Sequence, residues 1–217
     1  MRQTITRGSP NREYVTLAAA FDFFNRRLFG GALPPAIITL QRKAGSHGYY
    51  SAKRFEGRKG SAAEMDEIAL NPGTFAGRTD RDILSTLAHE MAHHWQQHFG
   101  TPGRSRYHNH EWADKMDEIG LAPSTTGRPG GNRVGQHMTH YIVARGPFAR
   151  ACRSLLADGV RLEWQSREWT ASRTKAVRTS KVKYTCPLCG LNAWAKPGAF
   201  LVCGNGRVRM VSEPDTV

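Results

Sequence analysis

The segment His89-Glu90-Met91-Ala92-His93 constrains this chain more than any other, because its residue types cooperate only on a helix. Ile83, Leu84, Leu87, Met91 and Trp95 recur at helical spacing around it. Thr79, with Asp82 three residues on, makes an aspartate version of the capping box, and Gly100 with Pro102 ends the run. Residues four apart on a helix stand one above the other, so His89 and His93 can address one ion while Glu90 leans toward a water upon it. The expectation is a zinc site with a carboxylate beside it.

A catalytic zinc takes three protein ligands and keeps its fourth position open. Past the helix, residues 101–106 read as a loop that leads into Tyr107-His108-Asn109-His110-Glu111-Trp112. His108 or His110 could close the shell, and Glu111 is a further candidate if the third ligand is a carboxylate. Residues 111–119 read as a helix with Trp112, Met116 and Ile119 on one side. His94 and His98 form another pair four apart, but each residue turns a helix by about 100°, so they face away from the first pair and read as solvated. His47, His137 and His140 show no ligand spacing and default to structural roles, with His137 and His140 in a segment able to approach the cleft.

These motifs carry a family likeness. Ile68-Ala69-Leu70-Asn71-Pro72, then LSTLAHEMAH from Leu84 to His93, then His108 followed by Glu111-Trp112, together resemble the SprT-like zinc metalloprotease domain, the family that includes Spartan. His108 stands fifteen residues after His93 and three before Glu111, as that family's third histidine does, which favours it over His110. The likeness extends to residues 14–29, to Gly48-Tyr49-Tyr50-Ser51 and to a cysteine-bearing tail. The stretch from Pro123 is similar to SprT-like proteins of bacterial chromosomes and mobile elements. The resemblance implies an α+β, zincin-like fold. It implies one catalytic zinc on His89, His93 and His108, with Glu90 handling the proton of a metal-activated water. It further implies protein substrates that are bound or crosslinked to DNA, with DNA as recruiting partner.

The pattern of the chain fits that fold. Residues 14–29 read as a helix ended by Gly30-Gly31, and residues 36–41, 49–54 and 66–70 read as strands. Residues 121–146 look like an irregular Gly-rich connection and residues 147–157 like a helix. A length of 217 allows one or two domains, here expected as residues 1–146 and 147–217. No stretch approaches eighteen uninterrupted apolar residues, and MRQTITRGSP lacks the apolar centre of a signal peptide. The expected location is the cytoplasm, at the nucleoid when DNA is bound, with no membrane partner.

Charge is distributed unevenly. The net +13 divides into +10 after residue 120 and +3 before it. Arg167, Arg173, Lys175, Arg178, Lys181 and Lys183 face only Glu168 in one short stretch, which reads as a salt-sensitive nucleic-acid patch. Trp164 and Trp169 flank its start, either to stack on bases or to pack in a strand pair, since Leu162 and Trp164 alternate with polar neighbours. Cys186-Pro187-Leu188-Cys189 reads as a metal knuckle, and Cys203-Gly204-Asn205-Gly206 as its counterpart with glycine where the fourth cysteine belongs. The tail is therefore expected to be a degenerate zinc ribbon with weak or absent zinc. Cys152 sits in a helical segment and reads as an ordinary buried cysteine. Two alternatives stand beside the DNA-directed protease. One is a nucleic-acid-binding regulator with a structural or idle metal, and the other is a narrow processing protease with no use for DNA.

Overall fold

A computed structural model describes residues 10–58, 63–104, 107–167 and 181–212. The chain forms two compact units, Met1–Glu168 and Trp169–Val217.

The first unit opens with helix α1 (Pro10–Leu28), whose Leu17, Phe21, Phe24 and Leu28 are all buried on one face. Gly30 and Gly31 end it at φ of 65° and 76°, a left-handed geometry open to glycine without steric cost. Strands β1 (Ala36–Leu40), β2 (Gly48–Glu56) and β3 (Glu64–Leu70) form one sheet in the order β1-β3-β2. The central β3 pairs parallel with β1 and antiparallel with β2, which leaves the outer edge of β2 free among the described residues. Ile68, Ala69 and Leu70 at the end of β3 have no exposed surface.

Helix α2 (Asp80–Phe99) lies against the sheet. Its capping box forms as expected, with the Thr79 hydroxyl accepting from the Asp82 N–H and the Asp82 carboxylate accepting from the Thr79 N–H. Helix α3 (His110–Glu118) is capped by Asn109, whose side chain accepts from the Trp112 N–H. The next segment departs from expectation, because β4 (Leu121–Ser124) and β5 (Thr139–Ile142) pair antiparallel where an irregular connection was anticipated. Pro123 hides β4 in the sequence, yet a two-stranded ribbon tolerates proline because each strand has an unpaired edge.

The first compact unit extends to residue 168, beyond the division expected after residue 146. Helix α4 (Pro147–Ala157) buries Phe148, Ala151, Cys152 and Leu155 in the same core as α1, with the Phe148 ring centroid 5.4 Å from that of Phe24. The chain then runs back over the unit without pairing as a strand. Glu163 N–H donates to Glu13 Oε2 at 3.2 Å, and Ser166 N–H to the Pro72 carbonyl at 3.0 Å. Of the two readings of Trp164, the strand pair does not form among the described residues, and Trp164 is half exposed.

In the second unit, β6 (Val182–Thr185) lies between β7 (Asn192–Ala195) and β8 (Val211–Ser212). A small core of Tyr184, Cys186, Cys203 and Met210 sits beneath them. Among the described residues no helix is long and apolar enough to cross a membrane.

Candidate metal centre

α2 brings His89 and His93 onto one face, and the chain entering α3 sets His108 opposite, so that one ring nitrogen from each lies within 4.8 Å of the others. The indole of Trp112 packs against all three rings, its centroid 5.0, 5.3 and 4.4 Å from those of His89, His93 and His108. One turn of sequence, Asn109 as cap and Trp112 in the first turn of α3, therefore holds the third histidine against the other two.

Hydrogen bonding settles which nitrogen His89 and His108 offer. Ser85 Oγ donates to the Asp82 carbonyl at 2.8 Å, so its oxygen accepts from His140 Nε2–H at 2.9 Å. His140 Nδ1 is then bare and accepts from His89 Nδ1–H at 3.1 Å, which frees His89 Nε2. His108 Nδ1–H donates to the Gly135 carbonyl at 3.0 Å and so presents Nε2. Backbone bonds in both directions between His108 and Gly135 fix that loop, and Gly135 takes a φ of 152°, outside the range of ordinary residues. An outward hydrogen bond of this kind orients a metal-ligating imidazole and selects its tautomer.

The electrostatics suit a cation. Burial holds His89 well below the usual histidine range, helped by the neighbouring His93, His140 and His108. Burial first, and then His108, brings His93 down to about 3. Burial likewise lowers His108, against the opposing Gly135 carbonyl. All three rings are neutral at physiological pH, with lone pairs available. Glu90 is buried beside them, and burial raises its carboxyl to about 8, opposed by Lys43 and the Tyr50 N–H. Gly48 lets β2 pass this close, since a Cβ there would stand 2.8 Å from the Ala69 carbonyl and 3.2 Å from Glu90 Oε1.

The centre opens into a cleft of about 1990 Å³, walled on one side by β2 and on the other by β5. Glu111, one of the alternatives for the third ligand, does not reach it. Its Oε2 accepts from Gln96 Nε2 at 2.7 Å and from the Thr101 N–H at 2.6 Å, closing the end of α2. His110 is exposed on α3. His47, His137 and His140 all line the cleft. The solvated reading is overturned for His94, which is fully buried, while His98 is exposed as expected, and both rings meet Asp66. Sequence reasoning also passed over the link from His140 to His89 and the one from Gly135 to His108, which span 51 and 27 residues and leave no periodic signal.

In the second unit Cys186, Cys189 and Cys203 also converge, with Cys189 Sγ 3.5 Å from Cys203 Sγ. The two turns share one hydrogen-bond pattern. Cys186 N–H donates to the Leu191 carbonyl and Gly190 N–H to the Cys186 carbonyl, just as Cys203 N–H donates to Val208 and Arg207 N–H to Cys203. Gly206 thus occupies in the second turn the place of Cys189 in the first, and a Cβ there would press to 3.0 Å on Leu188 Cδ1. Of the basic stretch, Arg167 and Lys181 are exposed and Lys183 is half-buried on β6, while Trp169, Arg173, Lys175 and Arg178 lie outside the described residues.

Fold and centre together define an α+β protein with a candidate three-histidine metal site beside a buried carboxylate. A model of the SprT-like family matches residues 17–134, more than half of the chain, and the protein belongs to that family. A Salmonella typhimurium protein described as an uncharacterized protein in the mucB 3′ region is 53% identical over 55 residues, covering 25% of this chain and 73% of the relative. No solved structure matches. Family membership supports a metalloprotease type of function.

Proposed function

We propose that this protein is a zinc-dependent endopeptidase directed at proteins bound or crosslinked to DNA. The observation that supports it most is the convergence of three neutral imidazoles with buried Glu90 at the floor of an open cleft. His89, His93 and His108 would hold the ion, and their donor chemistry fits zinc. Zinc, when bound, supplies Lewis acidity toward the scissile carbonyl and lowers the pKa of water.

The protein's own groups supply the rest. Glu90 takes a proton from the attacking water and returns it to the leaving amine, a role suited to a carboxyl with a raised proton affinity. The free edge of β2 flanks the cleft and can pair with an extended substrate through main-chain hydrogen bonds. With His140 committed to His89 and Ser85, the cleft residues Tyr107 and Tyr141 are candidates to stabilise the oxyanion. Arg42, Lys43, Arg54, Arg78 and Arg81 also line the cleft, giving it the polarity expected of a site working beside phosphates. In the tail, a ribbon with three thiolates would hold zinc less firmly than a complete set of four.

The test is digestion of a DNA-binding protein by the zinc-loaded enzyme, with and without DNA, using Glu90→Gln as control. That variant should keep its fold and metal and lose at least about a hundredfold in rate, the scale of a general base. Cleavage requiring both Glu90 and DNA supports the full reading. Cleavage indifferent to DNA favours a dedicated processing protease, and no cleavage by metal-loaded protein favours a nucleic-acid-binding regulator.

A further inference from the structure

α2 carries its second histidine pair on another face, since His94 lies five residues beyond His89 and so about 140° around the helix. There Asp66 Oδ2 of β3 stands 2.9 Å from His94 Nδ1, 2.7 Å from His98 Nε2 and 2.6 Å from Tyr50 Oη. Its Oδ1 accepts from the Lys53 N–H at 2.7 Å. His94 Nε2 lies 3.0 Å from the Pro34 carbonyl. A carbonyl oxygen only accepts, so Nε2 carries a hydrogen. A neutral His94 then directs a bare Nδ1 at a carboxylate oxygen, and two acceptors face each other at hydrogen-bonding distance. Either an extra proton on the ring or a bound cation resolves that contact, and the second imidazole four residues on, which meets the same oxygen, offers a cation a further donor.

We propose that Asp66, His94 and His98 form a second metal site, taking a divalent first-row cation such as zinc and distinct from the centre of His89, His93 and His108. Two imidazoles and a carboxylate are a donor set that zinc and its neighbours accept. The ligand atoms all lie within 4.8 Å of one another. With metal–ligand bonds of about 2.0–2.1 Å, tetrahedral ligands sit about 3.3 Å apart, so the pairs at 2.7 and 2.9 Å need open by only about half an ångström. The bond from His94 Nε2–H to Pro34 is the outward contact expected of a ligating imidazole. Tyr50 Oη donates to the same Asp66 oxygen at 2.6 Å, and the His98 side chain, 37% exposed, gives the ion a path from solvent. A metal here would clamp β3 and β2 to the carboxy-terminal half of the helix that carries Glu90.

The test is a zinc count on the full chain after loading and passage over a weak chelating resin, for the wild type and for His98→Leu, a change at the exposed member of the set. The variant should hold one zinc per chain fewer than wild type while its circular dichroism stays native. Cobalt loading separates this site from the cysteine tail, because only thiolate ligation adds sulfur charge-transfer absorption, which the variant should retain unchanged. Equal zinc counts in wild type and folded His98→Leu would overturn the proposal and leave a protonated His94 as the cation. Should His98→Leu fail to fold, zinc titration of the wild type followed by the ring signals of His94 and His98 decides. Signals that shift with zinc support the site, and signals that stay in place refute it.

Discussion

At the scale of single residues, the candidate centre depends on groups that set orientation as much as on those that would bind. His140 is the clearest case, since its Nδ1 is the acceptor that selects the tautomer of His89. His140→Leu should leave α2 intact yet let the His89 ring turn, weakening metal retention by about 10- to 100-fold, as loss of such partners does. Competition for zinc against a chelator of known affinity measures it, and unchanged retention would mean that Trp112 packing alone orients the ring. His140 keeps its own ring neutral for this role, because burial brings it down to about 4, with Arg78 acting in the same direction.

At the scale of elements, α2 is the part on which everything rests, and its start is held by a cap. Thr79→Ala removes the hydroxyl that accepts from the Asp82 N–H, at a cost of about 1 kcal/mol. For a chain of this size a melting temperature lower by about 2–4 °C is expected in thermal denaturation. The segment that returns past α1 makes a pH-dependent contact. Burial raises the Glu13 carboxyl above its ordinary value near 4.5, against two backbone donors, Glu163 and Trp164, and Oε1 has no partner among the described residues. A raised carboxyl means that the folded state binds its proton more tightly than the unfolded state. The destabilisation is therefore absent below pH 4.5 and grows as pH rises through the folded value. Glu13→Gln should melt higher than wild type at pH 7 and level with it near pH 4, and melting curves at the two pH values show whether it does. An equal gap at both would assign the effect to packing.

At the scale of the whole molecule, two compact units divide the work proposed here. The chain after residue 120 carries +10 of the net +13, and its basic stretch has six lysines and arginines. If that stretch neutralises about six phosphates, DNA affinity should fall by about a thousandfold between 50 and 200 mM salt. Fluorescence anisotropy with labelled DNA at a series of salt concentrations gives the slope. A flat dependence would remove the basic stretch from DNA binding and with it the recruiting half of the proposed function.

Much of this protein was legible without coordinates where the signal is local. The helical period from Ile83 to Trp95, the Thr79 box and the glycines after α1 depend on neighbours within four residues, and they formed as read. The pairing of His89 and His93 on one helix face was equally visible, while His108 was favoured over His110 by the family resemblance, and the three rings converge. What the sequence could not carry are contacts between residues far apart in the chain. The β4–β5 ribbon was masked by Pro123, and α4 joined the first unit through packing against Phe24. The burial of His94 and the docking of His98 depended on Asp66 arriving from β3, 28 and 32 residues away. Periodicity says which face of α2 each histidine takes. Only the tertiary structure decides what that face meets, because a buried imidazole is stable just where acceptors from other elements arrive to meet it.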